Sequence, residues 1–250
     1  MNARTKTFRY GDLHMLRMLL RRLLLIPLRL VLRPRVTGLE NLPASGPFII
    51  AANHLSFFDS IFIALLTPRH LYFIGKQGWL TMPGLKGRLQ GVFFRAVGMI
   101  SVDSTSGSAT MAGLETSLRI LREGHGVGVH IEGTRSPDGR LYKGNTGTAW
   151  IALSSGAPVV PCGLVGTERV HPAGAKRLHV ARFEAHFGAP MAFPEHIGRA
   201  SDRRARRAVT SMITQEISAL SGQEYVDTYA ATVKSRAESV AHGRAAESGA

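Results

Sequence analysis

Apolar positions fall into short unbroken runs separated by amphipathic stretches. FIIAAN (48–53), LYFIGK (71–76), GMISVD (98–103), GVGVHIEG (126–133) and APVVPCGLVG (157–166) read as strands. Between them SFFDSIFIALL (56–66), TMAGLETSLRILREG (110–124) and TAWIALSSG (148–156) read as helices, the last two stopped by glycine. Residues 77–97 read as helix and loop around Pro83-Gly84, VTGLENLPASGPF as a short strand and turn, and SPDGRLYKGNTG as a polar loop. RLHVARFEAHFG adds a strand, and ASDRRARRAVTSMITQEISALSG is a closing helix. Strands alternating with helices predict an α/β domain with a mixed, largely parallel central sheet flanked by helices.

The N-terminal pattern is different. Residues 1–36 hold nine Arg or Lys against one acid, Asp12, and LHMLRMLLRRLLLIPLRLVLRPR interleaves arginine with leucine. Stepped at about 100° per residue, the arginines from 17 to 33 occupy an arc of about 160°. They recur too often for a spanning helix, which needs about 20 mostly uncharged apolar residues, and a secretory signal would keep its charges ahead of the apolar core. Two readings stand: helices lying in a membrane interface, arginines toward lipid phosphates, or an amphipathic helix packed on its own domain. Pro27 should kink or divide the helix. The organisation expected is a basic amphipathic docking segment over 1–36, a folded domain over 37–221, and a flexible tail over 222–250 with little core to bury.

Net charge, +14 over 250 residues, invites nucleic acid or an anionic membrane surface. The aliphatic surface of the basic segment favours the membrane and argues against nucleic acid. Cys162 is the one cysteine, so no disulfide framework forms within the chain, which fits a reducing, cytoplasmic setting; inside VVPCGLVG it reads as a small buried hydrophobe.

The first candidate chemistry lies in NHLSFFD (53–59). His54 and Asp59 within one helix would stand about 140° apart around its axis. They converge only if His54 precedes the helix, and Ser56 offers an N-cap, with Ser-x-x-Asp resembling a capping box that puts Asp59 at the third helical position. The strand would then deliver His54 to the C-terminal edge of the sheet, where open α/β folds bind ligands. A carboxylate that fixes the histidine tautomer leaves the other nitrogen to accept a proton. The other readings are a capping carboxylate beside an ordinary histidine, and a metal site, which two ligands without a third make poorly. No Gly-x-Ser-x-Gly elbow occurs, so the reacting hydroxyl would be the substrate's.

The second candidate is Glu132-Gly133-Thr134-Arg135, at the end of an apolar strand. Gly133 permits close backbone approach, Thr134 carries a hydroxyl, and Arg135 offers a planar fork suited to phosphate. Four such residues also suit a turn with a surface salt bridge.

NHLSFFD followed by EGTR resembles the glycerolipid acyltransferase family, whose best-known members are 1-acylglycerol-3-phosphate acyltransferases. PGLKGRLQGVFFRAVGMISVD looks like its second block and APVVPCGLVG its fourth, so the likeness runs from about Asn53 to Val170. The resemblance implies transfer of a fatty acyl group from acyl-CoA or acyl carrier protein to a lysophospholipid hydroxyl, giving phosphatidic acid for phospholipid biosynthesis. His54 would be the general base and Asp59 its partner. Glu132, Gly133, Thr134 and Arg135 would bind the acceptor, with Lys76 near the same phosphate, and no metal or cofactor is implied. The enzyme would work at the cytoplasmic face of the cell membrane as a peripheral or monotopic protein. Ile131 stands where the family usually has proline, and Asp103-Ser104 where it commonly has Asp-Arg. A different acceptor (glycerol 3-phosphate, another lysophospholipid or a glycolipid) and a catalytically silent lipid-binding protein remain the alternatives.

Overall fold

The computed structural model describes residues 14–76, 83–102, 109–172, 175 and 177–247. The strands are β1 (Arg35–Thr37), β2 (Phe48–Ala52), β3 (Leu71–Lys76), β4 (Met99–Val102), β5 (Gly126–His130), β6 (Leu141–Tyr142), β7 (Val159–Val165), β8 (Glu184–Phe187) and β9 (Tyr225–Val226). Seven form one sheet in the order β1-β8-β7-β2-β5-β3-β4, parallel at every pairing except β7 with β8. This is the mixed, largely parallel sheet that the alternating pattern predicts.

Both faces of β2 are buried, and its side chains alternate between two cores. Phe48, Ile50 and Ala52 pack with helix α2 (Asp59–Leu66) and Phe94 of α3 (Gly84–Ala96). Ile49 and Ala51 pack with α4 (Ala109–Arg122), α5 (Gly147–Ser155) and α7 (Arg203–Ser221). Such double burial is why the strand reads as a continuous apolar run. The glycines of GVGVH serve this packing, because a Cβ at Gly126 or Gly128 would collide with the ring of Phe48 or Phe73. The predicted strand RLHVARFEAHFG is regular over Glu184–Phe187 only. Ahead of it, the His179 N–H bonds to the Val170 carbonyl, which closes the short helix α6 (Thr167–Val170).

The N-terminal segment does two things at once. Helix α1 (His14–Pro27) gives way at Pro27 to a π-helical stretch, Leu28–Leu32, that ends where Arg33 turns left-handed at φ 46°. Leu20, Leu24, Leu25, Leu28 and Leu32 recur at helical spacing and pack on the domain core. Arg21 Nε bonds to the Leu65 carbonyl at 3.0 Å, so this arginine serves the fold. The outer face keeps Leu19, Leu23, Ile26 and Leu30 each at least 60% exposed, beside exposed Arg22 and Arg29. Leu85 and Leu89 of α3 are exposed as well. Among the described residues no helix is long and apolar enough to cross a membrane.

The segment after Gly222 corrects the sequence reading. Instead of a flexible tail, it forms β9 and helix α8 (Ala230–Glu247). β9 pairs in parallel with β6, inside the stretch expected to be a polar loop, and Leu141 and Tyr142 are fully buried there. A two-residue strand gives no periodicity to read, and its partner lies more than 80 residues away.

Candidate active site

The parallel register brings the C-terminal ends of β2, β5 and β7 together, with Ala52 opposite both His130 and Cys162. Beyond that edge the ladder continues through a side chain. Asn53 Oδ1 accepts from the Leu164 N–H and Asn53 Nδ2 donates to the Leu164 carbonyl, each at 2.8 Å, so the amide mimics a further peptide of β2. The chain can then leave the sheet at His54 without stranding buried backbone groups.

His54 precedes α2, as the convergence argument requires. Its Nδ1 lies 2.9 Å from Asp59 Oδ2, and the same oxygen accepts from the Leu55 and Ser56 N–H groups at 2.6 and 2.7 Å. Three donors on one oxygen demand an unprotonated acceptor there. They assign the Nδ1–H tautomer to His54 and leave Nε2 with a lone pair. The capping box is half formed: Asp59 reaches back to Ser56, but the Ser56 hydroxyl accepts from Phe58 N–H at 3.4 Å, and the helix begins at Asp59 itself. Asp59 is fully buried. Burial raises its proton affinity, while the His130 ring and the Ser56 N–H favour the carboxylate, as does the nearby Thr167 hydroxyl. Thr167 Oγ1 and Asp59 Oδ1 nonetheless form no well-aligned bond, and both are unpaired.

The Glu132–Arg135 block splits by direction. Glu132 turns inward: Oε2 accepts from His54 N–H and Oε1 from Tyr142 N–H, both at 3.0 Å. Its carboxylate therefore braces the backbone of His54, whereas the resemblance implies a contact with the acceptor. Burial raises its pKa to about 7, opposed by the two backbone donors. A further bond, Ser136 N–H to the His54 carbonyl at 2.7 Å, holds the same residue from its other side. Gly133 adopts φ 71°, and a Cβ there would meet Asn145 Nδ2 at 2.6 Å. Asn145 in turn donates to the Glu132 carbonyl at 2.8 Å, so glycine is required by the turn and by the close amide. Thr134 and Arg135 face outward. Thr134 Oγ1 accepts from Lys234 Nζ at 3.0 Å, and Arg135 is exposed, its charge reaching both His54 and Lys234. Lys76 closes β3 opposite Val102, and its side chain lies outside the described residues, as does Asp103-Ser104.

A second histidine lies against the first. The His130 ring stacks on His54 with centroids 3.8 Å apart and planes 8° from parallel. His130 Nδ1 donates to the Asn53 carbonyl and Nε2 accepts from the Ser60 hydroxyl, both at 2.8 Å, so His130 has neither nitrogen to spare. Burial pushes both histidines down to about 3; for His54 the charges of Arg135 and Lys234 add to it, and for His130 the facing His54 does. Donor atoms of His54, Asp59 and His130 lie within 4.8 Å of one another. They nevertheless suit a metal poorly. Imidazole lone pairs lie in the ring plane, and two parallel planes 3.8 Å apart cannot aim theirs at one ion with Zn–N bonds of about 2.0–2.1 Å. Cys162 is fully buried and burial pushes its thiol up, consistent with a small core residue.

A cavity of about 300 Å³ lies away from this chemistry, lined by Arg21, Leu65, Arg69, Leu71 and Val97 at the N-terminal ends of β3 and β4. The candidate groups instead gather at the opposite edge. Asn53, Gln223 and Lys234 are the contributors that motif reasoning missed. Asn53 carried a signal, an amide at the end of an apolar strand. The other two lie beyond the last apolar element and carried none.

A strand-end histidine held by a carboxylate, near an exposed arginine, stands at the C-terminal edge of this α/β sheet. Residues 33–165, just over half the chain, match the acyltransferase family, and the chain belongs to that family. A chloroplastic 1-acyl-sn-glycerol-3-phosphate acyltransferase of Brassica napus is 33% identical over 57% of this chain and 40% of its own length. The Bacillus subtilis enzyme of the same name is 27% identical over 58% of this chain and 66% of its own. This chain thus spans well under half of the Brassica relative. The crystal structure of the 1-acyl-sn-glycerophosphate acyltransferase PlsC of Thermotoga maritima shares the fold, with a TM-score of 0.58 over 82% of each chain at 24% identity.

Proposed function

We propose that this chain is a membrane-surface O-acyltransferase that moves a fatty acyl group from a thioester, acyl-CoA or acyl carrier protein, to the hydroxyl of 1-acylglycerol 3-phosphate, giving phosphatidic acid. One observation carries the reading: His54 Nδ1 is committed to Asp59 at 2.9 Å while Nε2 has no partner among the described residues, with Arg135 near enough for its charge to reach the ring. The names of the relatives support the acceptor.

In this reaction Nε2 of His54 takes the proton of the acceptor hydroxyl as its oxygen bonds to the thioester carbonyl carbon. The tetrahedral adduct then expels the thiolate as the C–S bond breaks, and the imidazolium returns the proton to sulfur. Such base catalysis is worth about 10²–10⁴ in rate. A thiolate leaves readily, so no acyl-enzyme is needed. Asp59 stabilises the transient imidazolium and holds its ring, and Arg135 meets the phosphate with its planar fork.

The exposed leucines and arginines of α1 fit a helix lying in the interface. From there the lysolipid would enter without leaving the bilayer, on the cytoplasmic face. No metal or prosthetic group takes part in this scheme. The test is thioester consumption by purified protein with 1-acylglycerol 3-phosphate, glycerol 3-phosphate, other lysophospholipids and a glycolipid as acceptors, using both acyl carriers. Turnover of 1-acylglycerol 3-phosphate is expected, with an acceptor KM that rises on Arg135→Ala. Liposome binding without turnover of any acceptor would refute the reading.

A further inference from the structure

Helix α8 brings a charge to the site that no motif announces. The stretch leading to it is fastened at several points around the Glu132–Tyr142 loop. Gln223 Nε2 donates to the Gly139 carbonyl at 2.6 Å, Leu141 N–H to the Glu224 carbonyl at 2.9 Å, and Lys143 N–H to the Val226 carbonyl at 3.1 Å. Lys143 Nζ pairs with Asp227 at 2.8 Å, and Ala230 is buried at the start of the helix. Asn53, the residue before the base, donates to Gln223 Oε1 at 2.6 Å. One turn into α8, Lys234 Nζ reaches back to Thr134 Oγ1 at 3.0 Å, across 100 residues of sequence.

Arg135 lies near enough to Lys234 for its charge to oppose the ammonium. Among the described residues neither has a carboxylate within 4.0 Å. An ammonium has three donors, and Thr134 takes one of them. Two cations, one on the loop and one on α8, with spare donors of two geometries, suit a dianion with several oxygens: the fork of an arginine for two of them, the point charge of a lysine for a third.

We infer that Lys234 and Arg135 together seat the phosphate monoester of the acceptor, so that the segment after Gly222 completes the active site. The inference rests on the acceptor named under Proposed function, and it adds a phosphate-binding residue from outside the family match, which ends at 165.

The arrangement has a consequence for the base. Lys234 is held below its ordinary pKa by burial and by Arg135, with Glu132 and Glu238 offsetting in part. The same two cations oppose protonation of His54. A phosphate dianion between them would cancel that opposition, and the imidazole would gain proton affinity as the acceptor docks. Asp59, Glu132 and His130 also face this region, but all three are committed to hydrogen bonds inside the protein.

The test compares the full-length protein with Lys234→Met and Lys234→Arg. Lys234→Met should raise the KM for 1-acylglycerol 3-phosphate about tenfold, the usual effect of one charged hydrogen bond, with the thioester KM unchanged. Lys234→Arg should restore most of the loss. The acidic limb of kcat/KM should move to higher pH in the Met variant only, because removing a cation raises the proton affinity of His54; a loosened helix would not do this. An unchanged acceptor KM in Lys234→Met overturns the inference. So does equal damage in both variants with a lowered Tm, or a rise confined to the thioester KM, which would assign the anion to the acyl carrier. Should wild-type protein turn over no 1-acylglycerol 3-phosphate, it is the proposed function that fails. Thermal melts with glycerol 3-phosphate then decide the seat: wild type stabilised and Lys234→Met not supports it, and equal shifts refute it.

Discussion

Strands β2 and β5 run side by side, and each delivers a histidine to the same edge of the sheet. His54 follows β2, His130 ends β5, the rings are stacked, and burial pushes both down to about 3. Their chemical prospects are nonetheless opposite. His130 spends one nitrogen on a carbonyl and the other on a hydroxyl, whereas His54 spends one on a carboxylate and, among the described residues, keeps one. A perturbed proton affinity therefore does not single out the proposed base, since both rings have it. The partner list does: a neighbour that can stabilise the imidazolium, and a lone pair left over.

The contrast can be tested by taking each side apart. His54→Ala should lose about 10²–10⁴ in kcat, the usual worth of a positioned base, with a Tm close to that of wild type; full turnover in the acyl-transfer assay would end the assignment. Asp59→Asn keeps an oxygen for the Leu55 and Ser56 N–H groups but removes the charge beside the imidazolium. About a hundredfold loss is expected from that charge alone, and activity within a factor of two would show that Asp59 is only a cap.

Glu132→Gln comes next. An amide has one accepting end, so either His54 N–H or Tyr142 N–H would face an NH₂ group. Urea melts should show about 1–3 kcal/mol lost, with a fall in kcat as His54 loosens. His130→Phe keeps a stacked ring and gives up two hydrogen bonds, so activity should stay within about threefold in the same assay. A collapse comparable to that of His54→Ala would make His130 part of the chemistry.

The same pair sets an acid response. Both histidines bind protons less readily in the fold, at about 3, than their ordinary 6.5. Between those values the unfolded chain takes up protons that the native state refuses, so the pair's contribution to stability is whole above pH 6.5 and falls as pH drops toward 3, offset in part by Glu132, whose carboxyl binds a proton more readily in the fold. Urea melts at pH 7 and pH 4 should show this loss, and His130→Phe should reduce it. If the loss is the same in that variant, His130 is not one of the titrating groups.

The sheet, α2 and the meeting of His54 with Asp59 were legible because their causes are local. Apolar runs mark strands buried on both faces, and five residues of spacing exclude a shared helix face. The inward turn of Glu132 was not legible, since its partners are backbone N–H groups brought together by the fold. Nor was β9, whose pairing with β6 depends on where the sheet places Tyr142. The polar composition after Gly222 read as a tail because motif reasoning weighs what a segment buries, and this one is fastened by bonds to other loops. The N-terminal leucines supported two readings as alternatives, yet α1 has one apolar face for the domain and another outside it.

Asn53 holds three parts of the molecule with a single functional group. Its NH₂ reaches both the Leu164 carbonyl and Gln223 Oε1, and its oxygen takes the Leu164 N–H. Hydrolysis of that amide to aspartate would exchange two donated bonds for a charge facing two acceptors. His54, the neighbouring strand and the C-terminal segment would then lose their common joint together.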